Sequence, residues 1–572
     1  MTIRKAVQDI IHDLPRVLIN TLSGRLCDKS QQAASFESHA AFNNLVSSMT
    51  TSIDDDRIKH EVTEYYRYGM FSHKWEDNEP LFEQVIRMVV YELVEYPTHD
   101  KLKMFCKIVQ DAGLQWAWSD TCCINKADHF VLEEALVAVF KWYEGSALTV
   151  VFLFDVLSPS RHGALMRSIW NTRVWTLQEY HASKVVRFYT KDWTPYLNLD
   201  IPNHKESPEI ISEMEGATGI SARALTALRP GLDDIREKLC LASTRRTTLV
   251  EDAAYSLLGI FSMSLPVVYG EGDQALGRLL AQLLTNSGDT GILAWTGRSG
   301  SFNSCLPTNI IVFNHQPSSY IPPAITTTEM EKLTSTLRVS SLSSASVMKL
   351  YDQLHDLPLP LLVGQRLELP CLWFKLRAVT RARNAGEHVF RARTDALGIV
   401  EIRTEENLSR FSLLYLVHPW IDFLLDRQPV GSIIETIPEE NTEDQSSSIY
   451  GLPSSSLPGP SNVTFAARKT GTGQLAYGLG LPFGGLTPTR RKDAGSLPPP
   501  SSVSQEDKLI RAFQMIARLK QPFGALLLTK NPGKVAAYRR VAAETLITVR
   551  LKETTPTVLK KLLSSVSVLD VL

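Results

Sequence analysis

The chain has almost no net charge. Across 572 residues, 60 Lys and Arg stand against 61 Asp and Glu, leaving a formal charge of -1. No overall field draws it to nucleic acid or anionic lipid, so no nucleic-acid partner is expected. Long apolar runs are missing too. The richest, residues 148–156, is short and interrupted at Asp155, well under the ~18 to 20 apolar residues a bilayer crossing needs, so no membrane span is expected. The first 23 residues mix Arg4, Lys5, Asp9, Asp13 and Arg16 with apolar positions; they read as an amphipathic helix and lack the apolar stretch of a secretory signal.

Three chemical frameworks are absent. The seven cysteines are odd in number and scattered, which argues for reduced thiols and a cytoplasmic setting over a disulfide scaffold. Cys122 and Cys123 adjoin one another near His129, but they lack the spaced chelate of a zinc site, so no metal is expected. A nucleophile made of either cysteine with His73 lacks an evident activating environment. No glycine-rich phosphate loop appears. Gly270-Glu271-Gly272-Asp273 has neither the dinucleotide spacing nor a Walker lysine, and its two acids would repel a phosphate; a helix N-cap is the favoured reading there.

What is present is a change of texture along the chain. Residues 1–64 read as a helical extension. Residues 65–300 alternate short apolar runs with helical periodicity, as an α/β body does. Strands are predicted at 68–71, 115–119, 148–154 and 184–189, helices at 80–96, 103–112, 130–143 and 170–180, and the strand, helix, strand order makes parallel pairing the default. Further on, Thr248 and Glu251 have the spacing of a capping box for a helix over 252–261, and 274–284 is strongly amphipathic. Residues 301–431 form a β-rich region, with strands expected within 363–380, 388–403 and 411–418. Residues 432–505 are a Ser, Pro and Gly-rich linker expected to be disordered. Residues 506–572 regain periodicity, with a strand pair around Asn531-Pro532-Gly533 and a helix from Pro556, and are expected to complete the β body.

The side chains best suited to chemistry are Glu179 and Asp120. On a helix, Trp175 and Glu179 stand four residues apart and share a face, placing an aromatic wall beside a carboxylate. Carboxylates are rarely buried unpaired, so the structural rival for Glu179 is an ion pair with Arg173 or Lys184. For Asp120, at a strand's carboxyl end, the rival is a backbone cap. Trp116, Trp118, Trp142, Trp170 and Trp175 are read first as core, since each buries a large area.

Four blocks in order resemble the fungal heterokaryon incompatibility (HET) domain: Phe71-Ser72-His73-Lys74-Trp75; Trp118-Ser119-Asp120-Thr121-Cys122-Cys123-Ile124-Asn125; Arg173-Val174-Trp175-Thr176-Leu177-Gln178-Glu179; and Ala242-Ser243-Thr244-Arg245 continuing through Glu251-Asp252-Ala253-Ala254-Tyr255 to Tyr269-Gly270-Glu271-Gly272. The resemblance covers about residues 65 to 297. Two positions depart from the pattern: Glu76 stands where glycine is usual, and Lys126 where glutamine is common, so the loops there differ in shape or charge. The resemblance implies an effector of nonself recognition that triggers cell death. The HET domain is itself remotely similar to the TIR domain, which implies a TIR-like, mostly parallel sheet flanked by helices and makes Glu179 the catalytic acid of an NAD glycohydrolase. NAD is then a substrate, and no cofactor is implied. Ser72 and Asp120 would bond ribose or phosphate-side groups, and Trp75 or Trp175 would pack on a ring, from the carboxyl ends of strands where ligands of open α/β sheets collect. A homo-oligomer or a HET or NLR-like protein is the expected partner. The competing reading is a non-catalytic, self-associating signalling module of fungal innate immunity.

Overall fold

Apolar strands alternating with amphipathic helices between Tyr68 and Thr190 build one sheet. The computed structural model describes residues 2–48, 55–314, 327–382, 388–420, 504–531 and 537–572; residues 432–503 of the expected linker and the turn at Pro532 and Gly533 lie outside these. Strands β1 (Val17–Asn20), β2 (Arg25–Asp28), β3 (Tyr68–His73), β4 (Trp116–Trp118), β5 (Leu148–Leu153) and β6 (Val186–Thr190) lie in the order β2-β1-β4-β3-β5-β6. The last four are mutually parallel, with Met70 opposite Trp118, Ser72 opposite Val151 and Val151 opposite Phe188. β3 and β5 are buried throughout, as strands covered on both faces must be. Because the chain passes from β3 outward to β4 and then back across β3 to β5, the order reverses at β3, and the carboxyl ends of the strands at such a reversal are where open α/β sheets place their ligand crevice.

Helices Pro97–Asp111 and His129–Gly145 connect the parallel strands. The second starts on Asp128, whose carboxylate accepts from the backbone of Phe130 and Val131, satisfying amides that the first turn leaves free. Gly259 packs so closely on this helix that a Cβ would stand 2.2 Å from the Phe140 Cβ, which is why a side chain has no room there.

Several expected elements differ. The amphipathic helix of the first 23 residues covers only Ile3–Asp13; the chain then forms the hairpin β1–β2, which joins the sheet antiparallel to β4. Residues 80–96 are not one helix. A single turn, Phe82–Val85, and a 3-10 turn, Val90–Glu92, remain, because the Val90 amide donates to Gly24 O at 2.8 Å and the Tyr91 hydroxyl donates to Thr21 O, docking the segment on the hairpin. The run over 170–180 is two helices, Ile169–Thr172 and Trp175–Ala182. Arg173 between them is extended and forms a bridge with Arg246. The capping box also fails: Glu251 is already helical, and its carboxylate turns to the amides of Gly270 and Gly272, at 2.8 and 2.9 Å.

Among the described residues the C-terminal region holds ten strands. They are β7 (Leu361–Val363), β8 (Arg366–Lys375), β9 (Arg377–Arg381), β10 (Val389–Thr394), β11 (Gly398–Arg403), β12 (Leu414–Pro419), β13 (Phe523–Lys530), β14 (Ala537–Arg540), β15 (Ile547–Val549) and β16 (Val566–Val571). Of these, β8, β12, β13, β14 and β16 close into a barrel: β12 pairs with both β8 and β13, β13 with β14, β14 with β16, and β16 returns to β8. β9, β10 and β11 make a separate three-stranded sheet. The sequence reading anticipated strands here but not closure. It also missed the helices Thr327–Arg338 and Ser344–His355.

One apolar core runs from Ile3 through the α/β sheet into Leu369, Leu526 and Val571 of the barrel. Polar contacts reinforce the join. The buried Arg540 guanidinium donates to Leu293 O at 2.9 Å and to Trp295 O and lies 3.7 Å over the Trp295 ring, while the Asn303 amide donates to Gln365 O and Val571 O. Among the described residues no helix is long and apolar enough to cross a membrane.

Candidate functional site

Ser72 is the penultimate residue of β3, with its hydroxyl directed at Glu179 on the helix Trp175–Ala182. It donates to Glu179 and accepts from the Trp170 indole N–H at 2.8 Å. Trp170 is fully buried, so a core tryptophan fixes the serine and the serine fixes the carboxylate. Ser183 adds a bond to the Glu179 carbonyl. The break at Arg173 aims the helix, and the buried Arg245 guanidinium holds that break: it donates to Arg173 O at 3.0 Å, Thr176 Oγ1 at 2.8 Å and Asn171 Oδ1 at 2.9 Å.

Glu179 forms no ion pair with Arg173 or Lys184. Burial raises its carboxyl to about 7; the Ser72 bond pulls the other way, Asp120 adds to the rise, and Arg173 and Arg245 moderate it. A carboxyl balanced near neutrality at the end of a parallel sheet is suited to work in either protonation state.

Asp120 stands just beyond β4 and accepts from the Trp75 indole N–H at 2.8 Å; its other oxygen is buried without a hydrogen-bond partner. Lys126 lies over the Trp75 ring, 3.3 Å from its centroid. Trp175 is partly buried; Asp252 nearby, whose carboxyl burial pushes up, accepts from the Tyr269 hydroxyl at 3.0 Å. The structure thus brings Ser72, Trp75, Asp120 and Glu179 to the carboxyl ends of β3 and β4, with Trp175 on the helix that carries Glu179. The Ser72 hydroxyl is committed on both sides and buried, which suits orienting Glu179 better than touching a ligand.

Sequence reasoning missed Trp170 and Arg245 as supports. It also missed a buried polar cluster at the end of β3. His73 is 5 % exposed; neither ring nitrogen is hydrogen-bonded, and Nε2 lies 3.8 Å from the Glu79 carboxylate. Burial, then the positive charges of Lys101, Arg173 and Lys126, hold it well below the usual histidine range. Lys101 is itself engaged, with Glu79 and with Glu76 at 3.2 Å, so the unusual Glu76 is part of an ion pair. The only sequence signal for this cluster was the departure at Glu76 and Lys126. Cys122 and Cys123 are buried, and burial pushes the Cys123 thiol well up, the wrong direction for a nucleophile.

Fold and site define an α/β protein with convergent carboxylates and cations at the carboxyl ends of its parallel strands. Comparison narrows this. The chain is 31% identical over 232 residues to the vegetative incompatibility protein HET-E-1 of Podospora anserina. The match takes in 39% of this chain but 16% of that protein, so the likeness concerns one region of a much longer relative. No family model and no solved structure matches the chain.

Proposed function

We propose that this protein acts in vegetative incompatibility as a cell-death effector and that its α/β body hydrolyses NAD in a TIR-like manner. The likeness to a vegetative incompatibility protein supports the part in incompatibility; cell death is the outcome that reading carries with it. The observation that carries NAD hydrolysis is Glu179: an acid at the crevice, oriented by Ser72, unpaired with any cation and held near neutrality.

The chemistry asks little more. The C–N bond between nicotinamide and ribose breaks with its electron pair leaving on neutral nicotinamide. Water adds to the ribose carbon, and the products are nicotinamide, ADP-ribose and one proton. The ionised Glu179 stabilises the oxocarbenium-like state, as glycosidase carboxylates do, and takes up the proton of the attacking water. Asp120, with one oxygen held by Trp75 and the other free, is placed to accept from a ribose hydroxyl. On this reading ionised Glu179 is the working form, so activity rises with pH through about 7.

The test is nicotinamide release by the purified full chain beside Glu179→Gln. Loss of release by at least a hundredfold in a folded variant is expected. Equal rates, or no release by wild type even at concentrations that favour assembly, would favour the non-catalytic self-associating module, for which killing would persist while NAD stays constant.

A further inference from the structure

Two cations on this side of the sheet, Lys126 and Arg173, make no ion pair among the described residues, although Asp120 attracts Lys126 and Glu179 attracts Arg173. The Lys126 ammonium is buried and has no hydrogen-bond acceptor; it rests on the face of Trp75. The Arg173 guanidinium makes no ion pair or hydrogen bond among the described residues, its backbone alone being engaged. Both lie within electrostatic reach of His73, and Arg173 also acts on Glu179. The third cation of the group, Lys101, is taken by Glu79 and Glu76.

An ammonium held from water without an acceptor is costly, and buried polar groups left unmatched call for a missing partner. The nearby carboxylates attract the two cations without bonding them: Asp120 accepts from the Trp75 N–H while its second oxygen stays without a hydrogen bond, and Glu179 is bonded to Ser72. While Lys126 covers the Trp75 ring, that face is closed to a stacking base. Trp75 is therefore a mount, holding Asp120 by its N–H and Lys126 by its π-face.

We propose that Lys126 and Arg173 form an anion subsite that takes the pyrophosphate of a dinucleotide whose glycosidic bond lies at Glu179. The inference rests on the reading of Glu179 as the reacting carboxylate. It assigns the substrate class by charge: a phosphate-bearing nucleotide is preferred over the bare nucleoside.

The experiment compares the full chain with Lys126→Gln, Arg173→Gln and Lys126→Arg. Cleavage of NAD is measured against nicotinamide riboside, which has the same scissile bond and no phosphate. Binding of ADP-ribose and of inorganic pyrophosphate is measured by calorimetry. The ratio of kcat/KM for NAD to that for the riboside should fall about tenfold in each Gln variant, the size of one charged phosphate contact, with ADP-ribose binding weakened in parallel and Lys126→Arg retaining the ratio. An unchanged ratio, or an equal loss on both substrates, would overturn the subsite while leaving the Glu179 reading intact. If wild type cleaves neither substrate, binding decides: pyrophosphate and ADP-ribose affinity lost in the Gln variants sustains the subsite without the reaction, and no binding by wild type overturns it.

Discussion

Glu179 and Glu251 are both glutamates folded into the α/β body, and the structure uses them in opposite ways. Burial raises Glu179, which meets one hydroxyl. Glu251 meets the same upward push, but the amides of Gly272 and Gly270 outweigh it and hold the carboxyl below its ordinary value. The Gly270 turn was the nearest thing to a phosphate loop in the sequence. Its amides are occupied by the protein's own carboxylate, so the turn is structural. An acid surrounded by backbone donors is a brace; an acid left with one donor near neutrality is free to react.

The contrast breaks most visibly at Glu251. Glu251→Ala strips the amides of Gly270 and Gly272 of a charged acceptor and should cost about 2 kcal/mol, read as a fall in thermal midpoint, with nicotinamide release per folded molecule retained. A folded Glu251→Ala protein of unchanged stability would mean that the two amides find other partners and that the brace is dispensable. Arg245→Met comes next. It removes three bonds from the junction that aims Glu179 and one positive charge that lowers its carboxyl. A stability loss of about 2 kcal/mol is expected, together with an upward shift in the pH at which activity appears. A loss of stability without that shift would confine Arg245 to packing.

These supports show where sequence was readable. The strand ends carrying Ser72 and Asp120 were legible because short apolar runs stop at polar motifs, and the spacing of Trp175 and Glu179 survives on the shorter helix. The break at Arg173 was not, because it depends on pairing with Arg246, a segment far along the chain. Residues 80–96 look helical by periodicity, yet the amide of Val90 is claimed by Gly24 and the hydroxyl of Tyr91 by Thr21. Tertiary hydrogen bonds outweigh a weak local preference. Barrel closure was hidden for the same reason: β8 meets β16 only after the chain has passed through β12 and β13. Likewise the orphaned atoms of His73 and Lys126 arise from which groups fail to meet in space, and spacing alone does not report that.

A subtler difference between the two acids concerns pH. In the folded protein Glu179 stays protonated up to about 7, against an ordinary carboxyl value of 4.5. Between those values the unfolded chain has released the proton that the native state keeps, so the native state loses stability as pH rises through this window. Glu179→Gln, neutral throughout, should match wild type near pH 5 and exceed it by about 2 kcal/mol at pH 8 while losing activity. Denaturant melts of both proteins at the two pH values test this. A variant that is less stable at pH 8 would show that the ionised carboxylate is welcomed by its site, and the kinship with a strained catalytic acid would fail.

The smallest effect is expected at Thr248. By sequence its hydroxyl and Glu251 form a reciprocal cap, and losing such a cap would cost about 1 kcal/mol. In the structure Thr248 is exposed, the helix Asp252–Tyr255 begins without a side-chain cap, and Glu251 faces Gly270 and Gly272 instead. Thr248→Ala should therefore stay within about 0.5 kcal/mol of wild type, as surface substitutions away from special features do. A cost near 1 kcal/mol would place the Thr248 hydroxyl on the helix amides in solution, and it would free the Glu251 carboxylate from the role that separates it from Glu179.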